Sequence, residues 1–547
     1  MKLRLSLRTV NLALVVLLIL VMPSTLGFAL PLGKTRLPVS IADVVAGLAF
    51  VGVVLDLASR RFRGLRLPPL QAFLVVLVTF VVLVRTSHNI HAATRESLRQ
   101  SEAQEDAQAA QEARTTALAE AKEARVDAVK ELLQHIEYFL VVFAVFVNAA
   151  ETSDLKVYLA AFAVATAGVV GWAAVDYLGF HRSPFRVSAG YENRNLLGTF
   201  LALALPLLYG LALYARRWRV RAALLVVVAG GLVVNLAGGA LFATLLVLLL
   251  LSALRGQRAL VPYLVVAGAA LLLAPRLLPR PHHTDVLFAS VAPYVDDNYL
   301  LGGPRDEQLV ARARELLDPQ DEGEKPRPLD ARRLLRLLSE RRELTDEEMK
   351  LYGKAEARIS PAEERNYLLR GPQVAVRYQR WHAAIGCARD QWTRPSTTLL
   401  GRGFVAPDLR RYHELLKDFW PRQRLQYDTD EPEVYNVAAP EPFTYNLWLK
   451  TLVQSGLVGL AALVWLVATF LFRASRLYRK GHSELALGLS SGAVGSLVGF
   501  ALAGVFTETL VRGVAIPFVF VLALIAIAER MVWGRDPRTL DQLTRYD

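Results

Sequence analysis

The feature that most constrains this chain is a succession of apolar blocks, each about 18 to 25 residues long, separated by polar gaps. A block of that length carries a helix across the hydrocarbon of a bilayer. Inside hydrocarbon every backbone polar group has to be satisfied within its own segment, so such blocks fold as helices. Apolar residues make up 53% of the 547 positions, too large a share for one aqueous core. The expected fold is an all-α polytopic membrane protein with about 12 transmembrane helices.

The blocks read as spans over residues 9–30 (with Pro23 kinking the helix), 41–58, 70–84, 136–150, 155–177 and 196–214. Two short helices follow within 222–254, meeting near Ala237. The last spans cover 260–274, 445–472, 485–505 and 514–532. Residues 33–38 read as a turn. The first block lacks a small-x-small cleavage site and is read as a retained helix, not a removed signal.

The net charge is +13, and its cations collect in short gaps: Arg60 to Arg66, Arg216 to Arg221, Arg255 with Arg258, and Arg473 to Lys480. Basic gaps mark the cytoplasmic ends of spans, which accounts for the charge without a nucleic-acid partner. With the N-terminus inside, alternation puts all these gaps on one side. It puts residues 88–134, the loop at Arg186 and a long polar excursion on the other.

Five segments result. Residues 1–87 hold the first three spans, and 88–134 form an extracytoplasmic helical insert. Residues 135–275 hold spans four to nine, 276–443 form the large outer loop, and 444–547 hold the last three spans and a tail. The insert is rich in Ala, Glu, Gln and Arg and lacks Gly and Pro, so it favours helix and reaches about 60 Å if straight. Its stripe is mostly alanine, with Leu98, Leu118, Val126, Val129 and Leu133 as larger members. It reads either as a helical hairpin, or helix leaning on a protein partner, or as a solvated spacer. In the outer loop, helices are expected over 306–317, 329–342, 345–357 and 372–391. Thr345 is the N-cap of the third, with Glu348 completing a capping box.

The familiar catalytic signatures are absent: no phosphate-cradling P-loop, no H-E-x-x-H, no G-x-S-x-G. A single cysteine, Cys387, excludes an intrachain disulfide and a cysteine zinc site. His282 and His283 are adjacent but lack a ligating spacing, so no metal and no cofactor are expected. The outer arginines carry more information, because a guanidinium is a planar, permanently charged fork that matches phosphate oxygens. Arg377 and Arg380 stand beside Trp381, and Arg186 lies in another outer loop. Contact with water or lipid headgroups is the plainer reading of each taken alone.

Three stretches together resemble the O-antigen ligase and polymerase superfamily of bacterial envelope proteins. R-Y-Q-R-W (Arg377 to Trp381) followed by L-L-G-R-G-F (Leu399 to Phe404) resembles the family's R-x-x-x-W…P-L-x-G-x-G. F-T-Y-N-L-W-L-K-T-L-V-Q-S-G-L-V-G-L (from Phe443) resembles H-N-x-x-L…G-L-x-G-L. R-V-S-A-G-Y-E-N-R-N-L-L-G (Arg186 to Gly198) resembles R-x-x-G…N-x-N-x-x-G. The resemblance covers most of the chain apart from 88–134 and much of 279–371.

It implies a glycosyltransferase of the bacterial inner membrane with its large loop in the periplasm. The donor would be a polyprenyl-diphosphate-linked glycan, and the acceptor the lipid A core or another lipid-linked glycan. It implies that Arg377, with Arg186 and Arg380, holds the donor diphosphate. Neutralising the departing diphosphate stabilises the transition state. The acceptor hydroxyl also needs a base. The family's His before Asn is Tyr445 here, a poor base near neutral pH, and a family Ser-Arg-Gly is Ala237-Gly238-Gly239. Glu441, four residues before Tyr445, is the first replacement, with His413, His382 and Glu508 as others. Asn446 matches the family Asn and either orients the acceptor or caps its helix. A polymerase, or a non-catalytic relative that binds lipid-linked glycan or an assembly partner, stays open. A transporter is disfavoured by the few ionisable residues within spans and the lack of internal repeats.

Overall fold

Helix follows helix in the order that the apolar blocks dictate. The structure is a computed structural model. It describes residues 7–23, 27–32, 35–59, 69–102, 107–176, 189–191, 194–235, 237–277, 344–358, 395–401, 403, 446–508, 510 and 513–533, with isolated positions within 310–335 and 381–389. The helices are α1 (Leu7–Val21), α2 (Ile41–Ser59), α3 (Leu70–Glu102), α4 (Ala107–Asn148), α5 (Thr152–Val175), α6 (Arg194–Tyr214), α7 (Trp218–Val234), α8 (Gly238–Arg255) and α9 (Leu260–Leu277). They continue as α10 (Asp346–Glu356), α11 (Pro395–Leu400), α12 (Leu447–Lys480), α13 (Glu484–Phe506) and α14 (Ala515–Trp533). Among the described residues nine helices are long and apolar enough to cross a membrane. The protein is a helical, polytopic membrane protein.

Two local expectations need correction, and one left open is decided. The first helix ends at Val21, so Pro23 follows it and kinks nothing. A proline cannot donate the next helical hydrogen bond, and the chain leaves the helix there. Of the expected turn at 33–38, residues 35–38 belong to a strand. Strands β1 (Gly27–Leu32) and β2 (Thr35–Ser40) pair antiparallel, with Leu32 opposite Thr35, and form the one sheet among the described residues. The insert is a hairpin whose arms are continuous with spans: α3 runs on to Glu102 and α4 starts at Ala107.

The alanine stripe explains that hairpin. Ala117, Ala121 and Ala128 are buried, while Leu118, Val129 and Leu133 are about half exposed. Small side chains let two helix backbones approach, so the seam runs through alanine and the larger residues face outward.

The core of the membrane unit is the pair α6 and α13. Gly488, Gly492, Gly495 and Gly499 recur every three or four residues, on one face of α13. A Cβ on Gly492 would sit 2.6 Å from the Leu207 carbonyl oxygen, and one on Gly495 2.9 Å from Pro206. Gly210 of α6 likewise faces the backbone of Gly492. Without a hydrophobic force between helices in lipid, such close backbone contact and its dispersion energy hold them together.

Charged groups tie helix ends. Arg8 reaches Asp154 at 3.2 Å and Glu151 at 3.3 Å. Arg530 donates to the carbonyls of Phe146, at 3.1 Å, and Ala149, taking up the open acceptors at the end of α4. Arg473 meets Glu529 at 3.3 Å.

A second unit spans 280–387 and 409–443. Its described part is a small core of Ala313, Leu317, Ala331, Leu335, Tyr352 and Ala355. The expected capping box is present at α10: the Thr345 N–H donates to Glu348 at 2.8 Å, and the Glu348 N–H donates to Thr345 at 3.4 Å.

Candidate functional site

Two of the motif stretches meet at a helix break. The run G-L-V-G-L lies within α12, and that helix is interrupted at Gly456 (φ 63°, ψ −164°). A side chain strains this left-handed region, and glycine enters it freely. The break withdraws the helical donors that carbonyls just before it would normally meet. The L-L-G-R-G loop fills that gap. After α11 the backbone turns through Gly401 (φ 69°) and Gly403 (φ 100°), and the Gly403 N–H donates to the Gln454 carbonyl at 2.8 Å.

The fit has no room for side chains. A Cβ on Gly401 would collide with Gln454 and Gly456, and one on Gly456 with Leu399 and Gly401. A Cβ on Gly403 would lie 2.8 Å from the Thr86 Cα of α3. Beside it, Arg85 donates to the Thr397 hydroxyl of α11 at 3.3 Å. The loop is thus clamped between α3 and α12.

Below this clamp lies a cavity of about 160 Å³ between α3, α4, α12 and α14. Its shaft is apolar, with Val82, Phe139, Leu463, Leu466 and Phe518 among the lining residues. Glu131, His135, Lys450, Gln454 and Glu508 are among its polar lining residues. Lys450 Nζ and Glu508 Oε2 pair at 2.9 Å, and Glu508 is buried. Buried ionisable groups in a membrane protein are costly, and mark functional positions.

The third stretch leads to a second helix break. Ala189 (φ 48°) and Gly190 (φ 82°) turn the chain, and the Ala189 N–H donates to Asp176 at 2.9 Å. Tyr191 then packs on Phe200, and burial pushes its phenol well above its ordinary pKa. Arg194 opens α6 and is only 8% exposed. One turn on, Gly198 leaves space for Asn235, Ala237 and Ala240 at the junction of α7 and α8. The two short helices therefore meet at the expected position. Gly239 leaves space for Phe506 at the end of α13.

The chain matches no family model and no curated protein.

Of the sequence-predicted site residues, Glu508 is described, paired with Lys450, and so is Asn446. It is buried, and its side chain accepts from the Leu449 N–H at 3.0 Å, so it caps α12. Arg186, Arg377, Arg380, His413, Glu441 and Tyr445 lie outside the described residues. Sequence reading missed Arg85 and the pairing of Lys450 with Glu508. The signals were there: Arg85 closes the apolar run of α3, and Lys450 interrupts the apolar start of α12 one turn after Asn446. Nothing in the linear order joins Lys450 to a carboxylate 58 positions away.

Proposed function

We propose that this protein is a membrane glycosyltransferase of the O-antigen ligase type. It moves a glycan from a polyprenyl-diphosphate carrier to a lipid or glycan acceptor. The observation that carries the reading is the contact of Gly401 and Gly403 with Gln454 and Gly456. It joins two stretches that the resemblance had linked only by their order. Beneath the joint lies an apolar shaft with charged lining groups, the form that suits an amphiphilic substrate.

In this reading Arg377, Arg186 and Arg380 hold the donor diphosphate, and Arg85 adds a guanidinium beside the L-L-G-R-G loop. These cations offset the charge that develops on the departing diphosphate. The acceptor is the lipid A core or a second lipid-linked glycan, which separates ligase from polymerase.

The proposed topology has twelve crossings, α1 to α9 and α12 to α14, with the N-terminus cytoplasmic and the large loop periplasmic. Two contacts support it. Arg8 meets the α4–α5 connection, and Arg530 near the end of α14 meets the end of α4. All four segments fall on the cytoplasmic side by the charge rule. The setting is the bacterial inner membrane.

The test is surface glycan profiling in cells. Arg377→Ala is expected to abolish transfer while the protein stays inserted at its normal level. Unchanged glycans after deletion of the whole protein would overturn the enzymatic reading.

A further inference from the structure

The resemblance places an imidazole where this chain has Tyr445, so the acceptor hydroxyl needs another base. We infer that Glu508 is that base, carried in from the α13–α14 connection to the first turn of α12. This rests on the glycosyltransferase reading above.

Glu508 is placed by rigid neighbours. Lys450 lies one helical turn after Asn446, and its N–H donates to the Asn446 carbonyl at 2.9 Å. Its Nζ holds Glu508 Oε2 at 2.9 Å, which puts the carboxylate beside the first turn of α12, the turn that Asn446 caps. Trp448 Nε1 donates to the Ala501 carbonyl at 3.2 Å and fixes α12 against α13. Phe506, packed into the space over Gly239, anchors the end of α13 two residues before Glu508. A reacting group has to be held this firmly by its surroundings to act in a transition state. Glu508 also lines the cavity together with Gln454, whose carbonyl receives the L-L-G-R-G loop. Of the replacement bases that the sequence offers, Glu508 is the one among the described residues.

The step balances. The acceptor hydroxyl oxygen attacks the anomeric carbon of the donor glycan, and the Glu508 carboxylate takes the hydroxyl proton. The bond from the anomeric carbon to the diphosphate oxygen breaks, and its electron pair leaves on that oxygen. Polyprenyl diphosphate departs as an anion. Glu508, now a carboxylic acid, returns its proton to water. Lys450 orients the carboxylate through Oε2.

The experiment uses membrane vesicles from cells that make their own lipid-linked glycan, with transfer and released polyprenyl diphosphate read by mass spectrometry. Undecaprenyl diphosphate binding is read separately. Glu508→Gln keeps the shape and removes the base, so transfer is expected to fall about 100-fold or more while binding holds. Glu508→Asp is expected to retain measurable transfer. The double variant Glu508→Gln with Lys450→Met removes both charges of the pair together, so its inserted yield separates misfolding from chemistry. Glu508→Gln transferring within about threefold of the unchanged protein would overturn the base assignment and leave the transferase reading standing. Absence of transfer by the unchanged protein overturns both.

Discussion

Gly401 and Gly456 occupy each other's side-chain space: a Cβ on either would meet the backbone of the other. Both have positive φ, 69° and 63°. Alanine at either position carries backbone strain of about 1–3 kcal/mol before any overlap is counted. Gly401→Ala and Gly456→Ala are expected to release the L-L-G-R-G loop from α12. Transfer should be lost while insertion persists, as checked by glycan profile and membrane yield. Full transfer by either variant would separate the loop from the site.

Arg85 offers a different test. It bonds Thr397 beside the loop and stands at the same helix-break clamp. If it contributes to holding the diphosphate, Arg85→Ala should weaken undecaprenyl diphosphate binding about tenfold or more, the scale of one charge-assisted hydrogen bond. Arg85→Lys should recover only part, because an ammonium lacks the planar fork. Binding by vesicle flotation decides it.

Asn446 has two proposed duties, and substitution separates them. As the N-cap of α12 it contributes about 1 kcal/mol, so Asn446→Ala should lower thermal stability. Asn446→Asp keeps the cap and should restore stability. Transfer that returns with the cap limits Asn446 to structure. Transfer that stays lost in a stable Asn446→Asp protein assigns it to the acceptor.

The hairpin makes a prediction about packing. Ala121 is buried in the seam and Leu118 is exposed. Ala121→Leu should overfill the seam and destabilise by about 1–3 kcal/mol. Leu118→Ala should change stability by less than about 0.5 kcal/mol. Thermal unfolding in detergent reads both.

In the membrane core, Gly492→Val should prevent α13 from seating on α6, since its side chain would enter the Leu207 backbone. The expected result is loss of monodisperse protein on size exclusion. A normally folded Gly492→Val protein would show that the backbone contact is dispensable.

Much of this architecture was legible in the chain itself. Apolar length fixed the helices, and lipid left them no other backbone solution. The junction at Ala237 was visible in the polar and glycine residues that interrupt its run, and the cap at Thr345 in its box spacing. The alanine insert was legible as helix, with the hairpin one of several readings that the sequence left open. Composition sets the conformation of a segment, while its partner depends on where the neighbouring spans enter the membrane.

The tertiary structure alone decided the rest. Arg85 and Thr397 are 312 positions apart, and Lys450 and Glu508 are 58 apart. No periodicity links such pairs, because helix period reports only which residues share a face of one element. Their meeting depends on backbones that approach closely at Gly401, Gly456 and the glycines of α13, where the absence of a side chain acts only once a second helix is there to fill the space.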